Sequence, residues 1–205
     1  MLYWVLVDVA TVKEEWMERP SESPRLHEFF LSMTRRSFAE LGVGDEEVVG
    51  YVAALMTEFS RADRLYAIRQ GRGATDSVVQ IRLATGDPPR DARGLERARA
   101  RRKYVADYTL FMSGLFRTHV EQRGALGYYL QEGQRSYWEV SELDLTLYRT
   151  GFLFFQQLSK NFEYYSGALD YMRKAYFAPQ SGGESPFATF LRHVQGWITD
   201  GVSDN

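Results

Sequence analysis

One carboxylate stands in a segment that otherwise carries almost no charge. Asp107 lies within YVADYTLFMSGLF, where most of the other side chains are apolar, and a buried carboxylate is costly unless it is paired or hydrogen-bonded. Two roles fit such a residue: a salt bridge or tyrosine contact that fixes helix register, or the acid of a ligand pocket. For the second role we expect Tyr129, Arg135 and Tyr137 as its neighbours, and these four residues form the candidate pocket.

The spacing patterns of common catalytic and metal sites are absent from the sequence. It has no cysteine, which excludes thiolate nucleophiles, disulfides and cysteine zinc sites. The residues three positions before its histidines are Pro24, Phe116 and Phe190, so the Glu-x-x-His pairs of a di-iron bundle are missing. No Walker loop, nucleophile elbow or dinucleotide loop occurs either. We therefore predict no catalytic residue, no metal and no cofactor, and favour a non-enzymatic role.

Basic residues are concentrated in the segment RDARGLERARARRK, residues 90–103. It holds seven basic and two acidic residues, in a chain whose net charge is −2. Guanidinium groups pair with carboxylate or phosphate in a forked geometry, and positive charge near a helix N-terminus opposes the macrodipole. The segment therefore predicts a patch for an anion or an acidic partner, formed by Arg93, Arg97, Arg101 and Arg102.

Three kinds of counter-charge could serve this basic patch. The following helix carries Glu132, Glu139, Glu142 and Asp144, which could form salt bridges within the chain or across a dimer. An acidic protein partner is the second alternative. Nucleic acid or phosphate is the third, and we disfavour it because nucleic-acid-binding domains usually have a pI above ~9, whereas the pI of this chain is about 6.0. We favour the salt bridges.

The elements that must position these residues follow helical periodicity. Apolar residues recur at steps of three and four, and Asp45 is a good N-cap for one of the segments. The pattern predicts a single all-α domain over residues 1–205, a bundle of about six to eight helices. The main predicted helices cover 26–41, 45–68, 91–116, 120–142 and 148–177, and a loop at 178–186 precedes a short last helix.

Two short segments are ambiguous between strand and helix. Residues 77–84 alternate apolar and polar side chains, and only residues 2–10 offer an edge to pair with, so a short strand pair is an alternative to a helix at 77–84. The apolar N-terminal run is too short to span a bilayer and has no basic leader. We expect no membrane span and a cytoplasmic location, which the lack of cysteine fits.

Aromatic side chains make up 15% of the chain and concentrate in residues 104–177. They can form a thick aromatic core, or they can line a pocket between helices that holds a small apolar molecule. Periodicity does not choose between these two, since both place rings on facing helices.

Two patterns in this region carry a resemblance. The segment YVADYTLFMSGLF contains Asp-x-x-Leu-Phe-x-x-Gly-Leu-Phe, and GYYLQEGQRSYWEV contains Tyr-x-x-x-Gly-x-x-x-Tyr. In this order the chain resembles a group of uncharacterised bacterial all-helical proteins, over about residues 45–177. That group has no assigned activity, so the resemblance implies a helical fold and transfers no site residue.

Three function classes follow from these observations. We favour a helical interaction or scaffold module that forms a homodimer, because long amphipathic helices with a polarised charge distribution can offer a self-complementary face. The alternative is a helix-bundle binder of a small apolar or aromatic ligand. An enzyme whose site residues come from distant helices is the third.

Overall fold

The computed structural model describes residues 23–60 and 91–177, together with Phe190 and Arg192. All regular structure in this part of the chain is helical, which confirms the predicted all-α bundle of six to eight helices. The described helices are α1 (Ser23–Glu40), α2 (Glu46–Phe59), α3 (Ala92–Leu115), α4 (Arg117–Gln122), α5 (Leu126–Thr146), α6 (Phe152–Lys160) and α7 (Phe162–Tyr176).

Several predictions fall on residues outside the described part. These are the strand pair of 2–10 and 77–84, the loop at 178–186, the end of the helix predicted over 45–68, and the short last helix apart from Phe190 and Arg192. Among the described residues, no helix combines the length and apolar character needed to cross a membrane.

The start of α2 follows from its capping residue, as predicted. The Asp45 carboxylate accepts hydrogen bonds from the backbone N–H groups of Glu47 at 2.9 Å and Val48 at 3.3 Å. These bonds satisfy two of the donors that the first turn of a helix leaves free. The acidic first turn, Glu46 and Glu47, also favours the positive end of the helix dipole.

Helix α3 is the central element of the bundle. It packs most extensively against α5 and also contacts α2 and α7. Every residue from Val105 to Leu115 is buried, whereas the first half of the helix carries the basic segment. One helix therefore changes along its length from a charged surface element to a core element surrounded by other helices.

Two glycines allow helices to pack closely at the centre of this bundle. A Cβ atom on Gly133 in α5 would lie 2.0 Å from Cζ of Phe162, and one on Gly114 in α3 would lie 2.5 Å from Cβ of Leu169. Both partners belong to α7. Any larger residue at these two positions would push α7 away from the α3/α5 pair.

Two predicted helices have different boundaries in the structure. The helix predicted over 120–142 is α5, which begins at Leu126 after Gly124 turns the chain with φ of 65°. The long helix predicted over 148–177 is interrupted at Asn161, between α6 and α7. There the Asn161 side-chain amide and backbone N–H both donate to the carbonyl of Gln157, each at 3.1 Å. This side-chain bond competes with the regular helical pattern.

Candidate functional site

The carboxylate of Asp107 is enclosed by three hydrogen-bond donors from three helices. Asp107 is 6% exposed. Its Oδ1 accepts from the hydroxyl of Tyr137 on α5 at 2.7 Å and from the hydroxyl of Tyr51 on α2. Its Oδ2 accepts from Nζ of Lys103, one turn earlier on α3, at 2.6 Å. Both oxygens are thus engaged by side chains of the protein itself.

The Lys103 ammonium balances the charge of this cluster. Its side chain is 33% exposed, and Nζ lies 4.9 Å from the centre of the Tyr51 ring, within reach of a cation–π interaction. A buried carboxylate with one positive partner and two phenol donors satisfies the conditions for burying a charge. This geometry favours the structural role of Asp107, because the cluster joins α2, α3 and α5.

The two phenols of the cluster remain protonated at neutral pH. Burial raises the pKa of Tyr51 well above its ordinary value, and the charge of Asp107 raises it further. Burial and the Asp107 charge raise the pKa of Tyr137 in the same way. Since a phenolate beside a carboxylate would be destabilised by both effects, the phenols act as donors rather than as acids or bases.

Aromatic rings pack around the cluster. The centres of the Tyr137 and Phe155 rings lie 5.9 Å apart, and Phe162 lies at the same distance from Tyr137 on another side. Tyr51 packs edge-on against Phe154 at 5.2 Å. Tyr137 and Phe162 have no exposed surface. Around Asp107, therefore, the aromatic region is a filled core.

Of the four predicted pocket residues, the structure brings only Asp107 and Tyr137 together. Tyr129 packs against the ring of Tyr108 with centroids 6.3 Å apart, and the half-exposed Arg135 donates to Glu139 at 2.8 Å on the surface of α5.

Lys103 and Tyr51 complete the Asp107 cluster, and neither was in the predicted set. The spacing of four residues between Lys103 and Asp107 is a local signal that could have identified the lysine. Tyr51 lies 56 residues away, and no local signal marks it.

Part of the basic segment pairs with acidic residues of α5. Arg99 forms a forked ion pair with the fully buried Asp144, with Nη2 3.0 Å from Oδ2, and its guanidinium lies 5.4 Å from the Phe155 ring. Nε of Arg102 lies 2.5 Å from a carboxylate oxygen of Glu139. Salt bridges within the chain, the counter-charges that we favoured, are therefore present for these two arginines.

The other arginines of the predicted patch behave differently. Arg93 and Arg97 are exposed and Arg101 is partly buried. None of them forms an ion pair with any residue that the structure describes. Nε of Arg101 is shielded from solvent and has no hydrogen-bond partner among the same residues. We call these three residues the arginine row.

A second surface feature is a row of exposed side chains along α5. Its members follow one another at steps of four and three, so they share a face of the helix. Two are large and apolar: Trp138 is 41% exposed and Leu145 49%. We call this set the α5 stripe. It consists of Gln131, Arg135, Trp138, Glu142 and Leu145.

The turn after α5 exposes a further aromatic side chain in an unusual backbone conformation. Tyr148 is 97% exposed and has φ of 54°. Its N–H donates to the carbonyl of Leu145 at 3.2 Å, and the Arg149 N–H donates to that of Asp144 at 2.8 Å. This is the Schellman pattern, in which the left-handed position is usually glycine. A bulky side chain at that position carries strain of about 1 to 2 kcal/mol.

A shallow groove of about 600 Å³ lies between α7 and the end of α1. Tyr164 and Tyr171 line it, and their hydroxyls donate to the backbone carbonyl of Leu41 and to the carboxylate of Glu40. These bonds account for the exposure of the two tyrosines, which fasten α7 to α1. None of the four predicted pocket residues lines the groove.

The described residues contain no group of three or more histidine, aspartate or glutamate side chains placed to hold a metal ion. No protein-family model, curated protein or solved structure matches this chain.

Proposed function

We propose that this protein is a non-enzymatic helical interaction module that forms a homodimer through the α5 stripe. The observation that carries the proposal is the position of the exposed large apolar side chains. Of six such side chains among the described residues, four lie between 138 and 153: Trp138, Leu145, Tyr148 and Leu153. The other two, Tyr164 and Tyr171, are accounted for by their bonds to α1. Trp138 and Leu145 lie on the α5 stripe itself, and exposed apolar surface of this kind is typical of a protein-binding site.

The charges of the stripe support a second copy of the chain as the partner. Arg135 lies three residues before Trp138, and Glu142 lies four residues after it. Glu142 is exposed and forms no ion pair with the described residues. Arg135 already bonds Glu139 of its own chain through Nε. In an antiparallel pairing of two α5 helices centred on Trp138, the guanidinium of Arg135 in each copy also meets Glu142 of the other. A two-fold axis therefore gives two ion pairs on either side of a tryptophan contact.

Several features make this face suitable for association. Tryptophan and arginine are enriched among the residues that contribute most to binding. Helix α5 is anchored to α3 by Asp144, Glu139 and Tyr137, so its outer face is presented by a rigid element. The absence of cysteine from the chain supports a cytoplasmic setting for this association.

Charge reversal tests the pairing directly. Arg135→Glu alone places two acidic residues against each other at each ion pair, and Glu142→Arg alone places two basic residues there. We expect each variant to dissociate at least about tenfold more readily than the wild type, equivalent to about 1.4 kcal/mol. An equimolar mixture of the two variants is expected to associate, because every pair in the mixed dimer is complementary.

The matched control is Arg117→Glu on α4, which makes the same charge change within an i,i+4 ion pair outside the α5 stripe. We expect it to leave association unchanged. The proposal is wrong if the wild type is a monomer. It is also wrong if each single variant associates as well as the wild type, or if the mixture of the two associates no better than either variant alone.

A further inference from the structure

The arginine row stands out from the other basic residues of the same helix. Arg99, Arg102 and Lys103 each form an ion pair with Asp144, Glu139 or Asp107. The row lies on a different part of the helix surface and has no carboxylate partner among the described residues. The one acidic residue within this stretch of α3, Glu96, is engaged by Arg149 at 2.6 Å. The carboxylates on and around this half of α3 are thus paired with other basic residues.

The arginine row places like charges beside one another without a counter-charge from the described residues. Its members are four residues apart, so like charges recur on one helix face about 6 Å apart along the axis. They lie in the first half of α3, whose first turn contains no acidic residue. Arg93 lies in the first turn, where a positive charge opposes the helix macrodipole. The buried Nε of Arg101 adds an unsatisfied donor. An anionic partner would offset the repulsion between the three guanidinium groups.

We propose that the arginine row binds an acidic helical segment of a partner protein. A helix with carboxylates at every fourth residue has the same spacing of about 6 Å and can pair each carboxylate with one guanidinium in a forked geometry. The overall charge favours a protein segment over nucleic acid, because the chain carries −2 overall and is more acidic outside residues 90–103. A long polyanion would meet repulsion from the rest of the surface.

The test uses a fluorescein-labelled, alanine-based helical peptide with glutamate at every fourth position. Its binding to the full chain is measured by fluorescence anisotropy at low and at physiological ionic strength. We expect the substitution of all three arginines of the row by glutamine to weaken binding at least about tenfold, since three charge-assisted contacts are lost. The control makes the same charge change at three exposed cations elsewhere: Arg36→Gln, Arg123→Gln and Lys160→Gln.

Two further variants separate a loss of peptide binding from misfolding and from dimer formation. The double variant Arg93→Gln/Arg97→Gln changes only exposed side chains, and we expect it to weaken binding severalfold with unchanged thermal unfolding. Arg135→Glu is expected to retain peptide binding, because the arginine row and the α5 stripe are separate surfaces. Failure of the dimer proposal therefore leaves this one standing, and the reverse also holds.

Three results would overturn the inference. The first is no binding of the peptide at low ionic strength. The second is an equal loss of peptide affinity in the arginine-row variant and in the control variant, which would mean that binding depends only on the net charge of the chain. The third is row-dependent binding of duplex DNA under conditions in which the peptide does not bind, which would assign the row to nucleic acid instead.

Discussion

Asp107→Asn tests whether the buried cluster is structural. The substitution preserves the size of the side chain, removes its charge and replaces one carboxylate oxygen by an amide group. Oδ1 can still accept from the Tyr51 and Tyr137 hydroxyls, but the amide then points its N–H groups at Lys103. The N–H donors of the Asn amide then face the N–H donors of the Lys103 ammonium, where the structure has a 2.6 Å ion pair.

The expected cost follows from the bonds that change. Removing one partner of a buried ion pair costs about 3 to 5 kcal/mol. Lys103 is 33% exposed and regains water, so we expect roughly 1 to 2 kcal/mol from this pair. Hydrogen bonds to a charged acceptor are worth about 1.5 to 3 kcal/mol, against about 1 for neutral ones, so the two phenol bonds weaken as well. The free energy of unfolding should fall by about 2 to 4 kcal/mol.

Urea unfolding at neutral pH, followed by far-ultraviolet circular dichroism, measures this change. The control is Glu28→Gln on α1, which neutralises an exposed carboxylate outside the α5 stripe, and we expect it to change the free energy of unfolding by less than about 0.5 kcal/mol. If Asp107→Asn falls within that same range, the structural reading is refuted. Unchanged stability with loss of a ligand's binding would make Asp107 a pocket acid instead.

Three further predictions concern packing, backbone strain and pH. Gly133→Ala places a Cβ atom 2.0 Å from the Phe162 ring and should lower stability by at least about 1 to 3 kcal/mol. Gly127→Ala, in open space on the same helix, should raise it by up to about 1 kcal/mol; equal effects in urea unfolding would contradict this. Tyr148→Gly removes the strain of a positive φ and should raise the melting temperature, so a fall would refute the strain argument. Because the pKa of Tyr137 is raised in the fold, stability should be fully present below about pH 10 and decline above it. Tyr137→Phe should make that alkaline decline shallower, and an unchanged decline would count against the cluster.

The features that the sequence predicts correctly are local ones. The amphipathic periodicity of α1, α2 and α7 is carried by residues within a few turns of one another, and the Asp45 cap acts on groups two and three residues away. Such signals need no knowledge of the tertiary fold. The all-α class follows from them.

Features that depend on pairing between distant segments are not predictable in this way. Periodicity shows that Arg93, Arg97 and Arg101 share a face, but it does not show which face of α3 meets α5. In the structure Arg99 pairs with Asp144 and Arg102 with Glu139, both on α5. The three arginines that share the predicted face form no ion pair with α5. Helical phase within one segment is encoded locally, whereas the rotation of one helix against another is set by the packing of the whole core.

The candidate pocket shows the same division. Asp107 is identifiable because a lone carboxylate among apolar residues must be paired, and Tyr137 is one of its partners. Tyr129 and Arg135 lie on α5 together with Tyr137, but their side chains contact other residues. The close approach of α7 at Gly114 and Gly133 fills the space with Leu169 and Phe162, and the sequence does not indicate that contact.

Sedimentation equilibrium measures whether the α5 stripe joins two copies of the chain. For the wild type we expect a molar mass of about twice the 23.7 kDa of one chain. For Arg135→Glu at the same concentration we expect the mass of one chain, and recovery of the doubled mass when this variant is mixed with Glu142→Arg. A wild type that sediments with the mass of one chain at the highest concentration reached would contradict the proposed dimer.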